Sequence, residues 1–239
     1  MLRAVQSGSS HVGELAESCG VSEMTVRRDL RELARDGKLE RVRGGAVNAG
    51  GEPPFEETVV ERFEAKDRIG AAAAALVADG ETVMIDIGTT TLQAAHHLHG
   101  RRLTVVTTSL AVYEELLPDH GIELVLPGGV VRRNYRSLVG VVAEDALRQL
   151  RADVLFLGTS AVDEALAVWD STMVEVPIKR AMIAAADRVV LLADSEKFAM
   201  RGVVRVCERA AIDQLVTDAA LPASVRSALD EAGIEVTLA

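Results

Sequence analysis

Residues 21–47 have the sequence VSEMTVRRDLRELARDGKLERVRGGAV, which predicts a helix followed by a short hairpin. Ser22 is a favourable N-cap, and Gly37 stands where a glycine commonly ends a helix. Val26, Leu30 and Leu33 recur at helical spacing, so we expect this face of the helix to be buried. The opposite face is expected to be exposed, and it carries Met24, Arg28, Arg31 and Arg35, flanked by Thr25 and Arg27.

A shorter helix is predicted within residues 11–20, and Gly20 makes the turn between the two helices. A helix, a tight turn and a capped helix with arginines on its outer face form a helix-turn-helix pattern. Residues 38–42 alternate polar and apolar, and Gly44-Gly45 permits a reversal, which together predict a wing hairpin. The alternative is a solvated amphipathic helix followed by an unrelated hairpin. The residues expected to contact DNA are Ser22, Met24, Thr25, Arg27, Arg28, Arg31, Arg35, Arg41 and Arg43.

The same stretch resembles the N-terminal domain of the DeoR family of bacterial transcriptional regulators across nearly its whole length. The resemblance implies a winged helix-turn-helix domain that binds double-stranded operator DNA. Because helix-turn-helix proteins usually bind repeated half-sites as dimers, a homo-oligomer is expected. One departure from the family pattern is the first helix, for which only residues 2–6 are present. We therefore expect a stunted first helix or a start that lies further upstream.

The charge of the chain is distributed unevenly. The 239 residues have a net charge of −10, which by itself disfavours nucleic acid, yet residues 1–50 hold eight Lys and Arg against seven Asp and Glu. Residues 1–50 are therefore nearly neutral, and arginines on one side of this segment can bind phosphates locally. The longest apolar run, residues 71–78, is too short to cross a bilayer, and the N-terminus lacks a signal-peptide pattern. The two cysteines have neither the number expected of a disulfide framework nor the spacing of metal ligands. Together these features predict a cytoplasmic protein.

Beyond residue 47 the pattern predicts a second domain. A Gly- and Pro-rich linker over residues 48–56 separates a winged helix-turn-helix domain over residues 1–47 from an α/β domain over residues 57–239. Helix is expected over residues 55–78, broken near Asp67, and irregular chain over residues 163–171. Apolar strands that alternate with helices predict a mostly parallel α/β sheet covered on both faces. The strands are predicted at residues 83–87, 103–109, 122–127, 153–160, 188–194, 203–207, 214–218 and, at one edge, 234–238.

The sequence DIGTTT, residues 86–91, lies between a buried strand and a helix predicted over residues 92–98. Ligands of open α/β sheets bind at the carboxyl ends of the strands. Gly88 permits a tight turn, the helix N-terminus offers free N–H groups, and three threonines add hydroxyls. This combination suits a phosphate without the Walker lysine, which is absent. The alternative is a simple strand-to-helix turn in which a threonine is the N-cap.

Other strand ends supply polar groups that could line the same crevice, although each alone is explained as a cap or a turn. They are Thr107, Thr108, Ser109, Gly128, Gly129, Arg132, Arg133, Gly158, Thr159 and Ser160. Lys197 follows another strand, where it is placed to meet an anion. Glu175 and Lys179 are four residues apart on a helix, a spacing typical of a surface ion pair. His96 and His99 share a helix face, but the sequence offers no third ligand at a suitable spacing. We therefore expect surface imidazoles, no metal and no cofactor.

Six further segments resemble the effector domain of the DeoR family, in order and over residues 60–239: DIGTTT, PGGVVR, SLVG, FLGTS, VEVPIKRAM and LADSEKF. The resemblance implies a fold related to ribose-5-phosphate isomerases and CoA transferases. It also implies a sugar-phosphate effector, with DIGTTT on the phosphate and Lys179 or Lys197 nearby. The expected effector-binding residues are Asp86, Gly88, Thr89, Thr90, Thr91, Thr108, Ser109, Gly128, Gly129, Arg133, Gly158, Lys179 and Lys197.

The sequence thus predicts a repressor of sugar-metabolism genes whose operator binding is controlled by a phosphorylated sugar. An activator is one alternative. Another is an enzyme of the sugar-phosphate isomerase type with an accessory DNA-binding domain, in which Asp86, Glu175, Lys179 and Asp194 supply acid and base. The predicted DNA-binding domain favours the regulator, because an isomerase does not need to bind DNA.

Overall fold

A computed structural model describes residues 12–35, 39–42, 45–48 and 53–239. The chain divides into two compact units, Met1–Pro53 and Pro54–Ala239. The expected short first helix, the capping Gly37 and the wing residue Arg43 lie outside the described residues. Within the described ranges, no helix is long and apolar enough to cross a membrane.

The first unit contains the predicted helix pair and hairpin. Helix α1 spans Val12–Cys19, helix α2 spans Glu23–Arg35, and Gly20 between them has a positive φ of 65°. Strands β1 (Leu39–Val42) and β2 (Gly45–Asn48) pair antiparallel. The Ser22 hydroxyl accepts a hydrogen bond from the backbone N–H of Thr25 at 3.2 Å, so the predicted N-cap is confirmed.

The second unit alternates strands and helices. In chain order its elements are α3 (Phe55–Thr58), α4 (Phe63–Ala74), β3 (Thr82–Ile85), α5 (Thr89–His96), β4 (Leu103–Thr107), α6 (Leu110–Leu116), β5 (Ile122–Val125), β6 (Val130–Arg132), β7 (Ser137–Val139), α7 (Val141–Leu147), β8 (Ala152–Gly158), β9 (Ala161–Val162), β10 (Val168–Asp170), α8 (Val176–Ala185), β11 (Ala186–Leu192), β12 (Val204–Cys207), β13 (Gln214–Thr217), α9 (Ala223–Glu231) and β14 (Glu235–Leu238).

Seven of these strands form one parallel sheet in the order β14-β13-β11-β8-β3-β4-β5. One face packs against α7, α8 and α9 through residues such as Leu155 and Leu191. The other face packs against α4, α5 and α6 through residues such as Phe156 and Val190. Neighbouring strand residues therefore point to opposite cores, which explains the nearly continuous apolar strand sequences. The expected α/β class with a mostly parallel sheet is confirmed, including β14 as an edge.

Several expectations about the second unit are wrong. The predicted helix over residues 55–78 is interrupted at residues 59–62, where Arg62 has a positive φ of 50°, and it is not broken at Asp67. Phe55, assigned to the linker, is 3% exposed, and its ring packs edge-on against Tyr135. The stretch 163–171 contains β10, which pairs antiparallel with β9 and with β12, so β12 does not belong to the parallel sheet.

Candidate functional site

Helix α2 separates an apolar inner face from a polar outer face. Val26 and Leu30 are 0% and 2% exposed, whereas Met24 is 80% exposed. The side chain of Arg28 is 71% exposed, and Arg31 is also exposed. The spacing of apolar residues thus predicted correctly which face of the helix is free. Arg27 forms an ion pair with Glu23, one helical turn away, at 3.2 Å, and the Thr25 hydroxyl contacts the Ser22 hydroxyl. The side chains of Arg35 and Arg41 are not among those that the structure describes.

In the second unit the sequence DIGTTT crosses from β3 into α5. Gly88 is the N-cap of α5 with φ 143°, a backbone conformation that favours glycine, and no side chain caps the helix. The three threonines form the first turn of α5 and are buried, so the expectation that this helix begins at Leu92 is wrong. The Thr91 hydroxyl donates to the carbonyl of Gly88 at 3.0 Å. The first N–H groups of a helix have no partner within it, so this turn presents backbone donors.

Asp86 and Lys179 form a buried ion pair beside this turn. Asp86 Oδ2 also accepts from the backbone N–H of Gly158 at 3.0 Å, and Lys179 Nζ donates to the Gly158 carbonyl at 3.0 Å. Asp170 Oδ2 lies 3.5 Å from the same ammonium. A Cβ at Gly158 would lie 2.7 Å from the carbonyl oxygen of Ile87, so only glycine permits this close approach.

The pKa values of the pair reflect burial and mutual attraction. Burial raises the pKa of Asp86 to about 6, although the Lys179 ammonium acts in the opposite direction. Burial also favours the neutral amine of Lys179, but the charges of Asp86 and Asp170 outweigh it, so its pKa lies above the ordinary value. At neutral pH both groups are therefore charged, and Lys179 is a fixed cation.

Glu175 is buried in a second polar cluster, so the expectation that it forms a surface pair with Lys179 is wrong. Its Oε1 accepts from the Ser137 hydroxyl at 2.6 Å and from Arg132 Nη1 at 2.8 Å. Arg132 and Ser137 lie on the β6-β7 hairpin, which the sequence analysis did not predict. Arg133, the expected ligand residue, is exposed in the turn of that hairpin, and it is Arg132 that reaches the buried carboxylate.

A third polar cluster lies where β11 and β13 end. Arg62 forms ion pairs with Asp194 at 3.3 Å and with Asp218 at 2.9 Å. Lys66 is 3% exposed and donates to the Thr58 carbonyl at 2.7 Å. Burial and the nearby charge of Lys197 lower the pKa of Lys66 to about 8. The sequence analysis selected Lys197 but neither Arg62 nor Lys66, because Arg62 is the N-cap of α4 and Lys66 lies in its first turn, so neither follows a strand end.

The remaining expected residues lie in two places. Thr108 and Ser109 follow β4 and are buried, and the Ser109 hydroxyl caps α6 by accepting from Val112 at 3.2 Å. Gly128 and Gly129 lie between β5 and β6 and are exposed. Four buried side-chain atoms have no hydrogen-bond partner among the described residues: Asp86 Oδ1, Thr108 Oγ1, Glu175 Oε2 and Thr217 Oγ1. Three of these residues stand at or just after the carboxyl end of a strand of the parallel sheet.

Comparison with protein families assigns both units. Residues 2–49 match the model of the DeoR-like helix-turn-helix domain, and residues 61–219 match that of the DeoR C terminal sensor domain. The chain belongs to the DeoR family of transcriptional regulators. The expected winged helix-turn-helix domain and the expected regulatory class are therefore confirmed, and this DeoR-family regulator is a DNA-binding protein. The wing that the residue pattern predicted is the β1-β2 hairpin.

Curated relatives match this DeoR-family chain almost from end to end. The putative aga operon transcriptional repressor of Escherichia coli O157:H7 is 33% identical over 242 residues, which cover 99% of this chain and 90% of the relative. The transcriptional regulator GlpR of Haloferax volcanii is 35% identical over 235 residues, 96% of this chain and 91% of the relative. The glycerol-3-phosphate regulon repressor of Escherichia coli K12 is 33% identical over 236 residues, 98% of this chain and 94% of the relative.

Solved structures similar to the DeoR-family chain include sugar-phosphate isomerases. Ribose 5-phosphate isomerase A of Methanocaldococcus jannaschii matches with a TM-score of 0.44 and 16% identity over 58% of this chain and 55% of the isomerase. The corresponding enzyme of Neisseria gonorrhoeae matches with a TM-score of 0.42 and 21% identity over 57% of this chain. The match covers 54% of that enzyme, so the chain spans little more than half of each isomerase.

Proposed function

We propose that this DeoR-family protein is a repressor of sugar-metabolism genes, and that a phosphorylated sugar bound in the second unit releases it from its operator. The observation that carries the proposal is the first turn of α5. Its backbone N–H groups and the buried hydroxyls of Thr89 and Thr90 follow Gly88 directly, at the carboxyl end of a central parallel strand. Backbone donors at a helix N-terminus, together with the positive end of its dipole, favour a phosphate.

The charges at the carboxyl edge of the sheet also favour an anionic ligand. Lys66 and Lys197 are close enough for the charge of Lys197 to lower the pKa of Lys66. Two like charges disfavour each other, and a dianion between or beside them would stabilise both ammonium groups. A neutral sugar would leave the donors of the α5 turn unpaired, which costs about 1–3 kcal/mol for each buried group. We therefore propose that the phosphate, rather than the sugar alone, is required.

The sugar part of the ligand is proposed to bind the buried carboxylates. Asp86 Oδ1 and Glu175 Oε2 are acceptors without a partner among the described residues, and the Thr108 hydroxyl is a third unpaired group. Sugar hydroxyls donate hydrogen bonds, and carboxylates accept them strongly. An acyclic or cyclic polyhydroxy phosphate fits this combination of one anion site and several acceptors.

The test measures the release of fluorescently labelled operator fragments from the protein, which is monitored by fluorescence anisotropy. A panel of sugar phosphates is titrated, with each unphosphorylated sugar and inorganic phosphate as controls. A hundredfold loss of operator affinity corresponds to about 2.7 kcal/mol of difference in ligand affinity between the two states. Parent sugars that release the operator as well as their phosphates do would overturn the proposed phosphate site.

Variants assign the response to the second unit. Thr90→Val and Lys197→Ala should abolish release and leave ligand-free operator binding unchanged. Thr104→Val is the matched control for the threonine, because Thr104 lies on β4 away from the strand's carboxyl end and is half-buried. Loss of the response in Thr104→Val as well would indicate a general effect on folding rather than loss of a ligand contact.

For the first unit we propose that the exposed outer face of α2 contacts operator DNA, with the wing beside it, and that the protein acts as a homo-oligomer in the cytoplasm. The reason for the oligomer is that helix-turn-helix proteins usually bind paired half-sites. Analytical ultracentrifugation of the protein with and without a palindromic operator tests this part. A protein that binds its operator as a monomer would contradict it.

The enzyme alternative rests on one observation, the raised pKa of Asp86, which would suit acid–base chemistry near neutral pH. Against it, Lys179 is held by Asp86 and by the Gly158 carbonyl, and its raised pKa makes the amine a poor base. We therefore propose that the protein is not an enzyme. Incubation with aldose and ketose phosphates, monitored by NMR, should show no interconversion, and turnover that is lost in Asp86→Asn would establish the alternative.

A further inference from the structure

Two imidazoles and a carboxylate meet on the surface of the second unit, far along α5 from its N-terminal turn. His96 is the last residue of α5, His99 follows in the next turn, and Glu115 lies on α6. His96 Nδ1 lies 2.7 Å and His99 Nε2 lies 3.2 Å from the same oxygen, Glu115 Oε1. One ligand atom from each residue lies within 4.8 Å of the other two.

A second carboxylate orients one of these imidazoles. Asp119 Oδ2 lies 3.3 Å from His99 Nδ1, on the side of the ring opposite Glu115. The backbone N–H groups of Gly100, at 2.6 Å, and of Gly121, at 2.9 Å, hold Asp119 and lower its pKa. Asp119 therefore contacts the ring through Nδ1 and leaves Nε2 directed at Glu115. Carboxylates behind metal-binding histidines have this same role.

Both ring nitrogens of His99 face a carboxylate. Glu115 Oε1 lies 3.2 Å from Nε2 and Asp119 Oδ2 lies 3.3 Å from Nδ1, so in a neutral ring, which carries one N–H, one of these two pairs has no hydrogen between its atoms. A proton or a cation between those two atoms removes their repulsion. Two nitrogen donors and one carboxylate oxygen, with the remaining positions open to water, are the ligands that zinc-class ions prefer.

We propose that His96, His99 and Glu115 bind one divalent transition-metal ion of the zinc class, with Asp119 as the outer carboxylate that orients His99. The ion would join the C-terminal end of α5 to α6. Sequence spacing alone does not show this site, because Glu115 is brought to the histidines by the packing of α6 against α5. The proposal is independent of the effector site at the other end of α5.

The experiment is a titration of chelator-treated full-length protein with Zn²⁺ in the presence of a chromophoric competitor. One saturable equivalent per chain is expected. Glu115→Gln and His99→Ala should each weaken it by at least tenfold, and Asp119→Asn by about 10–100-fold. The matched control is His97→Ala, since His97 is the neighbouring exposed histidine but pairs with Asp67 at 2.8 Å. That variant should bind as the wild type does.

A second readout distinguishes a metal ion from a proton shared by these groups. Co²⁺ added to the apo protein should give the intense visible absorption of a low-coordinate nitrogen and oxygen site, and Zn²⁺ should displace it. No saturable binding at one equivalent would show that the cluster is held by protonated histidine alone. Binding that survives Glu115→Gln, or is lost equally in His97→Ala, would place the ion elsewhere and overturn the proposal. Circular dichroism of each variant checks that it is folded.

Discussion

Replacing Lys179 with methionine should destabilise the second unit strongly, because it leaves a buried carboxylate without its cation. The ammonium contacts Asp86 Oδ2, the Gly158 carbonyl at 3.0 Å and Asp170 Oδ2 at 3.5 Å, and the residue is 2% exposed. Removing one partner of such a buried pair costs about 3–5 kcal/mol. Since a whole domain is stable by about 5–15 kcal/mol, Lys179→Met should remain folded with little margin.

Urea denaturation followed by circular dichroism measures this loss. With a slope of about 2 kcal/mol per molar urea, the midpoint should fall by about 1.5–2.5 M. The double variant Asp86→Asn/Lys179→Met should be more stable than Lys179→Met, because the amide can still accept from the Gly158 N–H without a buried charge. Recovery should be incomplete, since Asp170 has also lost its cation. A coupling energy of about 1–3 kcal/mol is expected from the cycle.

The destabilisation caused by Lys179→Met should depend on pH. The pKa of Asp86 in the folded protein is raised, so between the unfolded and folded values the native state binds more protons, and the free energy of unfolding falls as pH rises. Without Lys179 that pKa rises further above 6. The stability deficit of Lys179→Met should therefore be largest at about pH 8 and shrink toward about pH 5. A deficit that is absent, or that does not change with pH, would refute the ion-pair argument.

Three further predictions concern other parts of the chain. Phe55→Ala should destabilise the second unit by about 3–5 kcal/mol in urea melts, and a fragment of residues 54–239 should be correspondingly more stable than one of residues 57–239. Arg28→Ala and Arg31→Ala should each weaken operator binding by about 1–3 kcal/mol, and isotherms at two salt concentrations will separate phosphate from base contacts. Lys197→Ala should raise the pKa of Lys66 above 8, as measured by pH-dependent acylation of its amine.

Patterns with a single physical cause could be predicted from the sequence. The buried face of α2 follows from helical spacing, and the Ser22 cap follows from the preference of a short hydroxyl for free N–H groups. The parallel sheet follows from apolar strands separated by helices. DIGTTT was selected as a candidate site because it follows a strand end, and the structure places it there, although the start of α5 was predicted three residues too late. Threonine is a weak helix former, so the sequence does not show that all three belong to the helix.

Contacts between distant segments could not be predicted in the same way. Glu175 and Lys179 have the spacing of a surface pair, but the packing of α8 on the sheet buries both and gives each a different partner. Lys66 was not selected, because a lysine in an alanine-rich helix gives no sign that its amine is buried. Arg132 and Arg133 were both placed at the crevice, but only Arg133 was included among the expected effector-binding residues. Side chains alternate along a hairpin, and the β6-β7 register, which decides where each arginine points, was unknown.

The distribution of unsatisfied atoms connects the fold to its proposed regulation. Buried polar groups in folded proteins are nearly all hydrogen-bonded, and each exception costs free energy. Asp86, Thr108 and Thr217, which carry such exceptions among the described residues, follow or end three different strands at the same edge of the sheet. A core that only had to be stable would not concentrate its unpaired atoms there. A ligand that supplies partners to Asp86 and Thr108, which follow the adjacent strands β3 and β4, would bind more tightly to an arrangement of the second unit that brings these groups together. Such a difference in affinity is what any effector needs in order to shift a regulator between two states.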